Sequence, residues 1–157
     1  MKVASVQEIK QELNELNKPE LLALCLRLTK YKKDNKELLN FLLFNAHDID
    51  AYINTVNEEI EEMFTEVNSS HVYFAKKTLR KILRFANKHI QYAGNKQVEV
   101  EVLMCYCNEF KKQGTYVFKS TALANLYAAQ LKKITKAIEV LHEDLQFEYL
   151  GKFEMLK

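Results

Sequence analysis

The residues best suited to chemistry in this sequence are charged and lie in two adjacent blocks. Residues 46–68 carry Asp48, Asp50, Glu58, Glu59, Glu61, Glu62 and Glu66 with no Lys or Arg, and residues 71–96 carry Lys76, Lys77, Arg80, Lys81, Arg84, Lys88 and Lys96 with no acid. At helical spacing Lys77, Arg80, Lys81, Arg84 and Lys88 fall between about 100° and 200° from Leu79, opposite an apolar seam. Phe74, Phe85 and Tyr92 line the flank between the two faces. Such a row of cations can dock an acidic protein surface. It can also hold the phosphates of a nucleic acid whose bases stack on the neighbouring rings, with an affinity that falls steeply with salt. The simplest account of the two blocks is an antiparallel hairpin in which they neutralise one another, each exposed pair contributing about 0–1 kcal/mol. If the cations are free instead, an acidic protein partner ranks first and nucleic acid second.

The other constellations are incomplete. Glu59, Glu62 and Glu66 share one flank at steps of three and four, a spacing that can bind hard cations, although a solvated acidic face explains it more simply. A di-iron bundle needs two Glu-x-x-His motifs, and Glu139-Val140-Leu141-His142 has no second copy. His47-Asp48 resembles metal-dependent phosphohydrolases in that dipeptide alone; no histidine precedes His47, so the ligand pattern fails, and Asp48 reads as a helix cap. Ser69-Ser70-His71 sets hydroxyls beside an imidazole, yet a triad is a matter of spatial geometry, and capping of the following helix accounts for the serines. Cys105 and Cys107 lack a second pair to complete a zinc site, and Cys25 sits in an apolar run. No catalytic motif, metal site or cofactor site is expected.

Composition narrows the classes further. Among 157 residues there are 3 Gly and 1 Pro, four in all against roughly 19 for average usage, which argues against many-stranded sandwiches and barrels. Three separated glycines also exclude the Rossmann and Walker A phosphate loops. A net charge of +2 announces neither nucleic acid nor membrane. The opening residues lack the apolar core of a signal peptide, about 7–15 residues, and the longest apolar runs fall far short of the roughly 18 needed to span a membrane. A cytoplasmic protein with reduced thiols and no membrane partner is the expectation.

These residues need helices to position them, and the sequence supplies about seven. Ser5-Val6-Gln7-Glu8 is a capping box, and Asn17 with Pro19 opens a second helix. That helix, with Leu21, Leu22, Leu24, Cys25, Leu26 and Leu28, and a third opened by Asp34-Asn35-Lys36-Glu37, are expected to be central and buried. A fourth starts near Asp48 with Ile49, Ile53, Val56, Ile60, Met63 and Val67 in 4-3-4-3-4 spacing. The fifth, over 71–93, ends at Gly94. The sixth covers Gln97 to Lys112, although Val98-Glu99-Val100-Glu101-Val102 alternates like a strand. After the linker Thr115–Lys119, a long helix capped by Ser120 runs to about Leu150. Residues 1–150 thus read as one all-α domain, a single compact bundle or short stack, with 151–157 as a frayed tail. The seams of helix four and the last helix can close within one chain or between two, which leaves a homodimer open.

The stretch from Glu58 to Phe110 resembles an uncharacterised bacterial all-helical family of unknown function. The likeness rests on the acidic helix end, on Ala75-Lys76-Lys77-Thr78-Leu79-Arg80-Lys81-Ile82, and on Val102-Leu103-Met104-Cys105-Tyr106 after Gly94. It implies a helical fold and carries no activity, cofactor or site. The functional expectation is therefore a non-catalytic interaction or scaffolding role through Lys77, Arg80, Lys81, Arg84, Lys88, Phe85 and Tyr92, with nucleic-acid binding through the same face as the alternative.

Overall fold

Helix starts are set by side-chain caps. Ser5 and Glu8 form the reciprocal box of α1 (Val6–Asn14), with Glu8 N–H to Ser5 Oγ at 3.3 Å and Ser5 N–H to Glu8 Oε2 at 2.7 Å. Asn17 and Glu20 repeat it at 3.0 and 2.8 Å for α2 (Lys18–Tyr31), with Pro19 in the first turn where its missing N–H costs nothing. Asp48 Oδ1 accepts from Ala51 N–H at 3.0 Å to open α4 (Ile49–Thr65). Asn95 opens α6 (Lys96–Lys112) by accepting from Gln97 N–H at 2.8 Å. Gly94, at φ +56°, supplies the left-handed stop of α5 (Val72–Ala93).

The computed structural model describes residues 2–157, and among them every regular element is helical, with no strand. Besides those named, the elements are α3 (Lys33–Asn40), a π-helical turn Phe41–Asn45, a 3-10 turn Thr115–Lys119, α7 (Thr121–Glu139) and α8 (Glu143–Glu154). The chain is all-α, as the composition and periodicity require.

The described residues fall into two compact units, one ending at Phe44 and one beginning at Asn45. In the second, α6 is the central helix. It packs against α4, α5 and α7 and buries Val98, Val100, Val102, Leu103, Met104, Tyr106, Cys107 and Phe110. The alternation at its start is that of a helix enclosed on several sides, not of a strand. The seams of α4 and α7 close within this unit, with Ile53, Val56 and Ile60 on one helix and Tyr127, Ile134 and Ile138 on the other all buried. Tyr106 Oη donates to the Leu79 carbonyl at 3.0 Å, pinning α6 to α5.

The first unit departs from expectation. Neither α2 nor α3 has a buried residue, although both were expected at the centre. Three short helices have too few neighbours to surround a helix that is apolar on most of its circumference. The N-cap of α3 is Lys32, which makes no side-chain cap bond, so Asp34 lies inside the first turn instead of opening the helix.

Two further corrections concern the C-terminal third. The long last helix breaks at Val140–His142, where Gln146 Nε2 donates to the carbonyls of Glu139 at 3.1 Å and Leu141 at 2.7 Å. His142 Nδ1 accepts from Asp144 N–H and restarts the chain as α8. Residues 151–157, expected to fray, are helical through Glu154, and Phe153 and Leu156 are buried. Tyr127 Oη donates to the Leu156 carbonyl at 2.7 Å, and two buried apolar side chains outweigh the ordering entropy of a short terminus.

Candidate functional site

The basic face of α5 is placed by the helix's own periodicity. Ala75, Leu79, Ile82, Leu83 and Ala86 are buried, which turns the opposite side outward. Lys77, Arg80, Lys81 and Arg84 are all exposed on that side. Among the described residues none of the four forms an ion pair. Five lysines elsewhere do pair: Lys33 with Glu37, Lys96 with Glu99, Lys112 with Glu109, Lys152 with Glu148 and Lys157 with Glu154. Each of those pairs lies within one helical turn or just beyond a helix end, at a spacing of three or four residues. The stretch Val72–Ala93 contains no acid, so α5 has no such partner to offer.

The acidic helix does lie alongside. Helices α4 and α5 pack as an antiparallel pair, tied where Tyr52 near the start of α4 meets His89 near the end of α5, Oη to Nδ1 2.8 Å. Neutralisation between the two does not occur at those four cations. Both helices turn their apolar seams to the shared core, which carries their charged sides outward from it. Glu58, Glu59, Glu61, Glu62 and Glu66 are likewise exposed.

The aromatic flank is divided differently. Tyr92 is buried at 9% exposure, and Lys88 Nζ lies 6.0 Å from its ring centroid. Phe85 is partly buried and packs on His89 at 4.4 Å between ring centroids, while His89 also meets Tyr92 at 5.8 Å and Tyr52 at 5.9 Å. Tyr92 thus belongs to a packed cluster and is not presented for base stacking. Lys88 is drawn into that cluster, apart from the four exposed cations. His89 stands three residues from Tyr92 and four from Phe85, the local spacing that brings the three rings together on one side of α5.

The remaining candidates come apart in space. Among the described residues no group of His, Cys, Asp and Glu has the geometry to hold a metal ion. Glu139 ends α7 and His142 caps α8, so the lone Glu-x-x-His straddles a helix break. Ser69 and Ser70 do not cap α5: its N-cap is His71 without a side-chain bond, and Ser70 N–H and hydroxyl both donate to Asn68 Oδ1. The His71 ring meets Phe74 edge-on at 6.0 Å. Cys105 and Cys107 project from different sides of α6, since two residues turn a helix by about 200°. Burial pushes both thiols up to about 12, helped at Cys105 by Glu61 and Glu109 and at Cys107 by its neighbour. Such groups are neutral and inert at ordinary pH.

A groove of about 470 Å³ with a mixed lining lies in the second unit, with Asn57, Glu61, Glu109 and Lys112 beside Met104 and Met155. Lys112 and Lys152 are already paired with Glu109 and Glu148. Asn57 Oδ1 is buried there without a partner in the described structure, and Cys105 Sγ approaches the Asn57 carbonyl at 3.8 Å.

Comparison of the chain with protein-family models, with curated proteins and with solved structures finds no match. Among the described residues no helix is long and apolar enough to cross a membrane.

Proposed function

We propose that this chain is a non-catalytic interaction module and that the basic face of α5 docks an acidic segment of a partner protein. One observation carries the reading: Lys77, Arg80, Lys81 and Arg84 stand exposed and without ion pairs among the described residues on a helix that has no acid. Four like charges on about two turns repel one another, by a few tenths of a kcal/mol per neighbouring pair. A carboxylate-rich partner removes that repulsion and gains charge-assisted hydrogen bonds, two at a time where an arginine meets a carboxylate. The burial of Tyr92 within the ring cluster favours a protein over a nucleic acid, because stacking on bases needs an open ring face.

The test is fluorescence anisotropy of a labelled oligoglutamate peptide and of labelled single- and double-stranded oligonucleotides, titrated with the chain at two salt concentrations. The peptide is expected to bind at low salt, and Arg80→Glu with Arg84→Glu to weaken it at least tenfold while unfolding free energy stays within about 0.5 kcal/mol. Absence of peptide binding, or a peptide affinity untouched by the double reversal, overturns the proposal. Oligonucleotides bound more tightly than the peptide would replace the protein partner with nucleic acid.

A further inference from the structure

We infer that the first 44 residues are a self-association module, whose occupant is the same segment of a second copy of this chain. Three observations of this segment lead there, and none involves the basic face of α5.

The first is exposure. Among residues 2–44 only Phe41 is buried, while Leu22 is 59% exposed, Leu26 48%, Leu28 60%, Leu42 55%, Leu43 62% and Phe44 65%. Those on α2 lie on more than one side of it, with Leu22 and Leu26 on one side and Leu24 on another. A segment of about 40 residues is also at the size where folding ordinarily requires disulfides, metal or oligomerisation. Cys25, its one cysteine, is free, and no metal-binding group exists among the described residues.

The second is shape. Helices α2 and α3 pack together and leave an apolar groove of about 230 Å³ between them, lined by Cys25, Leu28, Leu38, Leu39 and Leu42 with Thr29 and Asn35 at its edge. Leu22 and Leu26 stand beside it on α2, one turn apart on a ridge that does not itself line the groove. Groove and ridge on one helix are the two halves of a self-complementary contact: the ridge of each copy enters the groove of the other.

The third is charge, and it names the occupant. Residues 8–20 hold Glu8, Glu12, Glu15 and Glu20 against Lys10 and Lys18, for a net of −2. Residues 27–37 hold Arg27, Lys30, Lys32, Lys33 and Lys36 against Asp34 and Glu37, for a net of +3. In sequence the segment is acidic in its first half and basic in its second. A two-fold axis across α2 brings the acidic end of each copy beside the basic end of the next, whereas a parallel arrangement sets like against like. An unrelated apolar partner would have no need of this polarity.

Sedimentation velocity on the full chain between about 1 and 100 μM tests the proposal, that range spanning ordinary protein–protein affinities. A concentration-dependent shift from monomer to dimer is expected, with alkylation of exposed Cys25 slowing as the dimer forms. Leu22→Glu with Leu26→Glu is expected to abolish the shift. Because that variant can disturb α2 itself, two charge variants keep the test decisive. Glu12→Lys with Glu15→Lys, and Lys30→Glu with Lys32→Glu, should each weaken association at least tenfold, and an equimolar mixture of the two should restore it as a heterodimer. A monomer throughout the concentration range overturns the inference and leaves the face to another protein or to the rest of the chain. A dimer indifferent to all three variants overturns it as well.

Discussion

Helix α6 buries eight of its seventeen residues, whereas α2, apolar at every position from Leu21 to Leu28 except Arg27, buries none. Their surroundings account for the difference. Helix α6 has α4, α5 and α7 packed around it, so even the alternating Val98, Val100 and Val102 all find apolar neighbours. Helix α2 packs chiefly on α3, a helix of eight residues with no buried side chain of its own. Burial is decided by the number of elements that can be brought against a helix, and a helix's own apolarity only makes burial favourable when they arrive. The two regions are accordingly held by different forces, a shared core beyond Asn45 and terminal caps before Phe44.

Truncating the core should have the largest effect. The Phe110 side chain is fully buried and meets the rings of Tyr106 at 6.0 Å, Phe118 at 5.5 Å and Tyr127 at 5.3 Å. Phe110→Ala is expected to lower unfolding free energy by about 3–5 kcal/mol, read from urea denaturation. Leu26→Ala, an equally apolar position, is expected to change the same transition by no more than about 0.5 kcal/mol at concentrations where the chain is monomeric. Equal losses at the two positions would erase the distinction between the regions.

Alkali should act on the buried core next. The Cys107 side chain is fully buried, its thiol is pushed up to about 12 by burial, and Tyr127 is likewise pushed up to about 12. A folded-state pKa raised above the unfolded value means stability that is complete below the unfolded value, near 9 for a thiol, and lost as pH climbs toward the folded one. The melting temperature should therefore fall between pH 9 and 12, with Cys107 contributing at most about 1.4 kcal/mol per pH unit. In Cys107→Ala the fall should be shallower, whatever the starting stability at pH 7. An unchanged slope would mean that the thiol is not held neutral by the core.

How much of this was readable in the residues follows from the range of each interaction. Caps and stops are local, so Ser5, Asn17, Asp48 and Gly94 announced themselves correctly. The basic side of α5 was legible too, because a 22-residue helix fixes which residues share a face. Whether the acidic helix would reach it was not, since that depends on how both seams meet a third helix. The break at Val140–His142 was hidden because no Gly or Pro marks it and the apolar spacing runs straight through to Leu145. The local sign was His142 followed by Glu143 and Asp144, a capping group with acids in the first turn. The burial of Tyr92 depended on Tyr52, forty residues away and on another helix, which no local pattern specifies.

The smallest expected effect separates the two regions most cleanly, because the chemistry removed is the same in both. Asn17 and Asn95 each cap a helix through Oδ1, accepting from Glu20 N–H at 3.0 Å and from Gln97 N–H at 2.8 Å respectively. Replacing either by Ala costs about 1 kcal/mol of helix stability. At Asn95 the first turn of α6 carries buried Val98 and Val100, so it cannot fray without opening the core. The loss in Asn95→Ala should therefore appear in full in the global unfolding transition. At Asn17 the first turn of α2 buries nothing, and fraying there is a local event. Asn17→Ala should leave global unfolding unchanged and instead raise hydrogen exchange about fivefold at the amides of Leu21 and Leu22, the ratio that about 1 kcal/mol represents. If Asn17→Ala moved the global transition as far as Asn95→Ala, the first 44 residues would unfold together with the core, and the division of the molecule into a capped region and a packed one would be lost.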